Sequence, residues 1–291
     1  MYRNVQQLFL QVILIFLSAL VLAGYASAEK HEQIIDAAEE IVEAPGYEDP
    51  KDTKREWSLS IGMAAGVSPD YEGSDDYGFG IGPNIAGSWR NLIFFKGKTL
   101  GVNAVRTKKL TAGPILSWTG GRNEDDNDRL EGLGDVDGSV EAGGFISYRH
   151  KPFRFRMQVR QDINSGHEGA LVELSAGTTL PLIKKRVLVE LGTTWASDNY
   201  MESFFGVTPK QSAGSGLKEY NADAGIKDIN IGLSAGYPIT SRWRIGGKLE
   251  YKRLVGDAAD SPIVSDENQF LAGIGISYHF GSKVLSQDLK E

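Results

Sequence analysis

Residues 152–163 read Pro-Phe-Arg-Phe-Arg-Met-Gln-Val-Arg-Gln-Asp-Ile, and the alternation inside that stretch decides the fold. Side chains of an extended chain point to opposite faces with a period of two. Phe153, Phe155, Met157 and Val159 therefore share one face, and Arg154, Arg156, Gln158 and Arg160 share the other. Trp243, Ile245, Gly247, Leu249 and Tyr251 alternate in the same way with Arg244, Gly246, Lys248, Glu250 and Lys252. Phe270, Ala272, Ile274, Ile276, Tyr278 and Phe280 repeat it near the end of the chain. Many strands with one greasy and one charged face suggest a β-barrel whose greasy face meets lipid.

The start of the chain reads as a secretory signal: Arg3 gives a positive start, Leu8 to Leu22 is apolar apart from Gln11 and Ser18, and Ala26-Ser27-Ala28 has the small-x-small form of a cleavage site. The apolar run is short for a membrane anchor, and no later segment is long and apolar enough for a spanning helix. Cleavage would leave a chain starting at Glu29. Losing Arg3 takes the basic count from 31 to 30 against 38 acidic residues, a net charge of −8. That balance argues against a nucleic-acid partner, which calls for clustered positive charge. The mildly negative mean hydropathy fits a barrel, because half of each strand is polar. Cysteine is absent, which removes disulfides, thiol nucleophiles and thiolate metal sites.

Residues 29–55 form an acidic leader on the periplasmic side. Ile34, Ala38 and Ile41 have helical spacing beside Asp36, Glu39, Glu40 and Glu43, before Pro45, Gly46 and Pro50 interrupt. It reads as a loose leader; a short amphipathic helix docking on a partner or in the barrel mouth is the alternative. A single barrel of about twelve antiparallel, up-and-down strands is expected over residues 56–280, followed by a tail at 281–291. The strands are expected near 56–66, 79–89, 91–96, 100–106, 108–118, 137–149, 152–163, 169–181, 185–197, 226–237, 241–255 and 268–280. Tight joins at Arg90-Asn91, Thr107, His150-Lys151, Ile183-Lys184 and Thr240 alternate with long ones at 67–78, 119–136, 198–225 and 256–267, an imperfect alternation because the outward joins 97–99 and 164–168 are short. Outer-membrane barrels have short periplasmic turns and long external loops. The most acidic loop, Asn123 to Arg129, lacks the ligand spacing of a calcium loop and reads as solvated.

A soluble sandwich also alternates, with its greasy face inward. Three features favour lipid. Aromatics gather near strand ends, at Trp57, Trp89, Trp118, Tyr148, Trp195, Tyr237, Trp243, Tyr278 and Phe280. The polar faces carry both signs, with Arg154, Arg156, Arg160, Arg244, Lys248 and Lys252 against Glu141, Glu173, Glu190 and Glu250, which a lumen can pair. The last strand ends in an aromatic.

Ser68-Pro-Asp-Tyr-Glu-Gly-Ser-Asp-Asp-Tyr77, Ala112-Gly-Pro114, Gly166-His-Glu-Gly169, Tyr200 to Leu217 and Asp257-Ala-Ala-Asp-Ser-Pro-Ile-Val264 resemble motifs of the MltA-interacting protein/outer-membrane protein V (MipA/OmpV) family. The resemblance spans about residues 56–280. It implies an outer-membrane location and a scaffold linking a lytic transglycosylase to a bifunctional penicillin-binding protein in murein synthesis; other members are linked to adhesion, osmotic response or antibiotic sensitivity. Its loop motifs single out Asp70, Tyr71, Gly73, Ser74, Asp75, Gly166, His167, Gly169, Phe205, Gly206, Ser215, Gly216, Ser261 and Pro262. Asp70, Gly73, Asp75 and Asp76 suit a tight loop, Phe204, Phe205 and Pro209 suit a loop folded back on the rim, and Asp260-Ser261-Pro262 suits a turn. The tail after Phe280 and the long acidic leader depart from the family pattern.

No phosphate-cradling loop, metal-ligand spacing or dinucleotide fingerprint is present, and no cofactor is expected. The protein is expected not to be an enzyme. The one external histidine, His167, has Ser165 and Glu168 beside it, which leaves a lipid-modifying enzyme as a third reading behind a scaffold and a narrow solute channel. If export proceeds as read, intact-mass measurement of protein recovered from outer membranes will give a chain starting at Glu29; a mass that retains residues 1–28 would remove the signal reading.

Overall fold

The computed structural model describes residues 57–182 and 185–281. The signal (1–28), the leader (29–55), the tail beyond Gly281 and the join at Ile183-Lys184 lie outside the described residues. Thirteen strand segments follow one another: β1 (Trp57–Pro69), β2 (Tyr77–Trp89), β3 (Ile93–Lys96), β4 (Thr99–Val102), β5 (Val105–Arg106), β6 (Leu110–Thr119), β7 (Ser139–His150), β8 (Phe153–Asp162), β9 (Ala170–Leu182), β10 (Lys185–Ala196), β11 (Gly225–Pro238), β12 (Trp243–Leu254) and β13 (Asn268–Gly281). Two helices, α1 (Asp198–Phe205) and α2 (Pro209–Ser215), lie between β10 and β11.

Apart from β4 and β5, each strand pairs antiparallel with its sequence neighbours; β1 pairs with β13, and β4 and β5 both pair with β6. The result is a closed twelve-strand up-and-down barrel, because β4 and β5 are two pieces of one strand position along β6. The expected strand at 100–106 is thus interrupted. Gly101 faces Ile115 while Val105 faces Ala112, a slip of one residue. Pro114 lies at the slip. The Trp118 amide donates to the Lys98 carbonyl, so even-numbered residues of β6 turn their backbone toward β4. Pro114 has no N–H to offer on that side, and the ladder breaks there.

The apolar faces point outward. Phe153, Phe155, Met157 and Val159 are all exposed, as are Leu191, Leu249, Phe270 and Ile274. The other face of the same strands points into the barrel, where Glu141, Gln158, Ser234 and Lys248 are buried. Trp195, Tyr237, Trp243 and Phe280 stand exposed toward the two ends of the wall. The tight turns share one end with the first and last strand residues. Arg90 and Asn91 both take positive φ, and the Leu92 amide closes the turn on Trp89 at 2.8 Å, a two-residue hairpin connection. The long connections gather at the opposite, external end.

A basic side chain on the outer face has no partner in hydrocarbon. Leu191→Arg, at the middle of β10, is expected to cost about 2–4 kcal/mol of folding stability in reversible denaturant titration from lipid vesicles. Wild-type stability in that variant would contradict the assigned outer face.

Candidate functional site

The inner face of β7 to β12 is a paired ionic surface. Arg160 sits between Glu141 and Glu173, bonded to both. Thr119 Oγ1 donates to Glu141 at 2.8 Å. Arg154 meets Glu190 at 2.8 Å, and Lys248 meets Glu250 at 2.7 Å. Arg156 donates to Gln158 at 2.9 Å and lies 5.2 Å over the Phe145 ring, which packs edge-on to Phe94. Arg244 is half-buried on the inner face of β12. Removing such charges from water is costly, and opposed pairing is what makes their burial tolerable.

Above this surface the external loops form a packed cap rather than a fringe. Tyr200, Met201, Phe204 and Phe205 of α1 cluster with Leu171, Ala196, Ala222, Leu254 and Ala258. A second cluster joins Tyr71, Leu130, Leu133, Val207 and Ile263 from four different loops. The segment expected as the loop 198–225 therefore contains two helices. The buried positions 200, 201, 204 and 205 trace one helical face, a period that a search for strand alternation passes over. The acidic run 123–129, expected to be solvated, is also bound into the cap. Glu124 accepts from the Gly132 and Gly134 amides, Asn127 donates to Asp76 at 3.1 Å, and Arg129 donates to the Pro262 carbonyl at 2.6 Å.

Most of the motif residues meet in this cap. The Tyr71 hydroxyl donates to the Ile263 carbonyl at 3.0 Å. The Gly73 amide donates to Gln269, while its carbonyl accepts from the Ser265 and Asp266 amides. Gly73 has φ +107°, and a Cβ there would lie 2.6 Å from Val264, so only glycine fits. Ser74 Oγ caps the Asp76 amide, and the Asp70 amide closes the loop on the Asp76 carbonyl. Asp75 remains exposed. Ser261 Oγ donates to the Phe205 carbonyl at 2.6 Å, pinning the β12–β13 loop to α1. The Gly206 amide closes the end of α1 on the Glu202 carbonyl. Ser215 and Gly216 end α2, Gly216 in the left-handed conformation. Gly169 approaches α1 so closely that a Cβ would lie 2.5 Å from the Tyr200 amide nitrogen.

His167 is turned inward, its side chain fully buried. Its Nδ1 accepts from the Gly169 amide at 3.0 Å, which leaves the proton on Nε2, 3.1 Å from Glu141. The ring packs edge-on to Tyr200 at 4.9 Å. Ser139 Oγ holds the His167 amide, and Gly166 lies against that same hydroxyl. Ser165 and Glu168 are exposed and carry positive φ. Both ring nitrogens are thus committed to other partners than Ser165 and Glu168, and the arrangement joins cap to wall instead of activating a hydroxyl.

Glu72, in the β1–β2 loop, is a second cap residue that reaches the ionic surface. Glu72 lies 2.6 Å from Lys227 and 3.2 Å from Lys252, and Lys227 also lies 3.0 Å from Asp228. Strict alternation would put Lys227 and Asp228 on opposite faces. The β10–β11 register shifts at Thr194/Trp195, leaving Lys227 as the extra residue, and both side chains turn inward. Burial alone would raise the Glu72 carboxyl, but Lys227 and Lys252 outweigh it and hold the group below its ordinary value of 4.5. Burial, with Glu72 and Glu141 nearby, pushes the Tyr200 hydroxyl well up, so it stays neutral. A carboxyl lowered by folding contributes stability above its unfolded pKa, and that stability is lost as pH falls through the lowered value. Glu72→Gln is therefore expected to weaken cap closure by about 1–3 kcal/mol at neutral pH. Amide hydrogen exchange at Tyr71 and Phe205 will read this: the wild type should loosen only in acid below the ordinary carboxylate range, and the variant should already be loose at pH 7.

A family model described as MltA-interacting protein MipA matches residues 61–280. The outer membrane protein OmpV of Vibrio cholerae is 39% identical over 89 residues, covering 31% of this chain and 34% of that protein. The MltA-interacting protein of Escherichia coli is 37% identical over 90 residues, 31% of this chain and 36% of that protein. These two alignments span about a third of the relatives' lengths. The putative outer membrane protein YiaT of Escherichia coli is 24% identical over 233 residues, covering 78% of this chain and 92% of that protein. The chain is an outer-membrane β-barrel and belongs to the MltA-interacting protein MipA family.

Proposed function

We propose that this protein is a non-catalytic outer-membrane scaffold that holds murein enzymes at its periplasmic end, a lytic transglycosylase together with a penicillin-binding protein. The observation that carries the reading is the closed cap. A barrel whose external loops bury their own core, and whose inner charges are paired, is built as a rigid platform. The relatives called MltA-interacting protein supply the partner class. The engagement of His167 by Gly169 and Glu141 supports the non-catalytic part of the reading.

A narrow solute channel is the second reading. The ionic inner face favours it. Affinity capture from detergent-solubilised envelopes, beside planar-bilayer recording, separates the two. The scaffold reading expects recovery of a murein hydrolase and synthase with a silent bilayer. Discrete, salt-dependent current steps with no murein enzyme recovered would replace it with the channel.

A further inference from the structure

Three neighbouring turns at the periplasmic end are tied together. The Arg106 guanidinium donates to the carbonyls of Arg90 and Asn91 at 3.0 and 3.3 Å, linking the β5–β6 turn to the β2–β3 turn. The Arg149 amide donates to the Lys109 carbonyl at 2.7 Å, linking the β5–β6 turn to the β7–β8 turn. Thr107 Oγ1 accepts from the Lys109 and Leu110 amides, which fixes the short turn carrying Lys108 and Lys109. Arg90, Arg106, Lys108, Lys109 and Lys151 are all exposed on this connected strip. Among the described residues, no turn at this end contains an aspartate or glutamate. The loops of the external end carry both signs, with Asp75, Asp125 and Asp128 exposed beside Arg129, Lys210 and Lys218.

The outer wall beside the strip is apolar and aromatic. Val105, Tyr148 and Phe153 are 45%, 40% and 50% exposed, immediately next to the basic turns. Cations on a fixed turn, bordered by apolar outward side chains, match an amphiphile with an anionic head and an alkyl body. A soluble acidic protein would meet the charges but not the apolar wall, which lies within the bilayer.

We infer that this strip is a binding site for an anionic phospholipid of the inner leaflet. Its phosphate lies against Lys108 and Lys109, on the turn that Arg106 holds in place, and its acyl chains lie along Val105, Tyr148 and Phe153. The site is independent of the scaffold reading, since it needs neither the cap nor a murein enzyme. Native mass spectrometry of the whole mature protein in detergent, titrated with phosphatidylglycerol or phosphatidylethanolamine, tests it. The wild type should bind phosphatidylglycerol at least about tenfold more tightly. K108Q/K109Q, which keeps Arg106 and its turn contacts, should lose about tenfold of that affinity, whereas K108R/K109R should keep it. Heat-modifiable electrophoretic mobility will report whether each barrel is folded. Equal binding of the two lipids by wild type, or undiminished phosphatidylglycerol binding by folded K108Q/K109Q, overturns the site. Capture of an acidic periplasmic protein without lipid preference would also overturn it, giving the strip to a protein partner.

Discussion

Hydrocarbon offers no hydrogen bonds, and the wall of this protein is shaped by that fact. Every backbone N–H and C=O facing lipid has to be satisfied within the sheet, which forces antiparallel strands to close on themselves. Closure then fixes what each side chain does. Phe153, Phe155, Met157 and Val159 of β8 face lipid and must be apolar, and even positions face the interior and are free to be ionic. The interior, in turn, brings charges of opposite sign within reach of one another, and several of them are shielded from water. Arg154 with Glu190, Lys248 with Glu250 and Arg160 with two glutamates are the outcome. Such pairs add little net stability after desolvation, but they make wrong registers expensive, because a one-residue slip would send an arginine into lipid.

The same constraint explains why the cap is structured. The long loops leave the membrane and could be loose, yet several of them converge on two small apolar clusters. Backbone carbonyls serve as anchor points: Phe205 for Ser261, Ile263 for Tyr71 and Pro262 for Arg129. These bonds join loops far apart in sequence, so the cap closes as one unit rather than loop by loop. His167 and Glu72 are its ionic connections to the interior among the described residues, the first to Glu141 on the wall and the second to the lysine pair.

The wall was legible in the sequence because one period governs it. Phe153 to Asp162 and Trp243 to Leu254 announce their faces residue by residue, and the tight turns mark the periplasmic end. The cap was less legible because its signals are local and mixed. Tyr200, Met201, Phe204 and Phe205 follow a helical period for only two turns, too short to stand out. Motif glycines such as Gly73 and Gly169 could be quoted, but their reason, close approach to Val264 and to Tyr200, exists only once distant loops meet. Lys227 was missed altogether. The adjacent pair Lys227-Asp228 inside a strand was the available signal, since two neighbouring charges cannot both avoid lipid unless the ladder bulges.

That bulge ties the cap to the electrostatics of the interior. With Glu72 in place, the group contains two ammoniums and two carboxylates, Glu72 and Asp228, and it is balanced. Lifting Glu72 away leaves Lys227, Lys252 and Asp228, with one positive charge in excess. An excess charge costs free energy wherever the site stays shielded from water, so the Glu72 contacts to Lys227 and Lys252 favour the closed cap at neutral pH, and the bulge that turns Lys227 inward is what makes those contacts available.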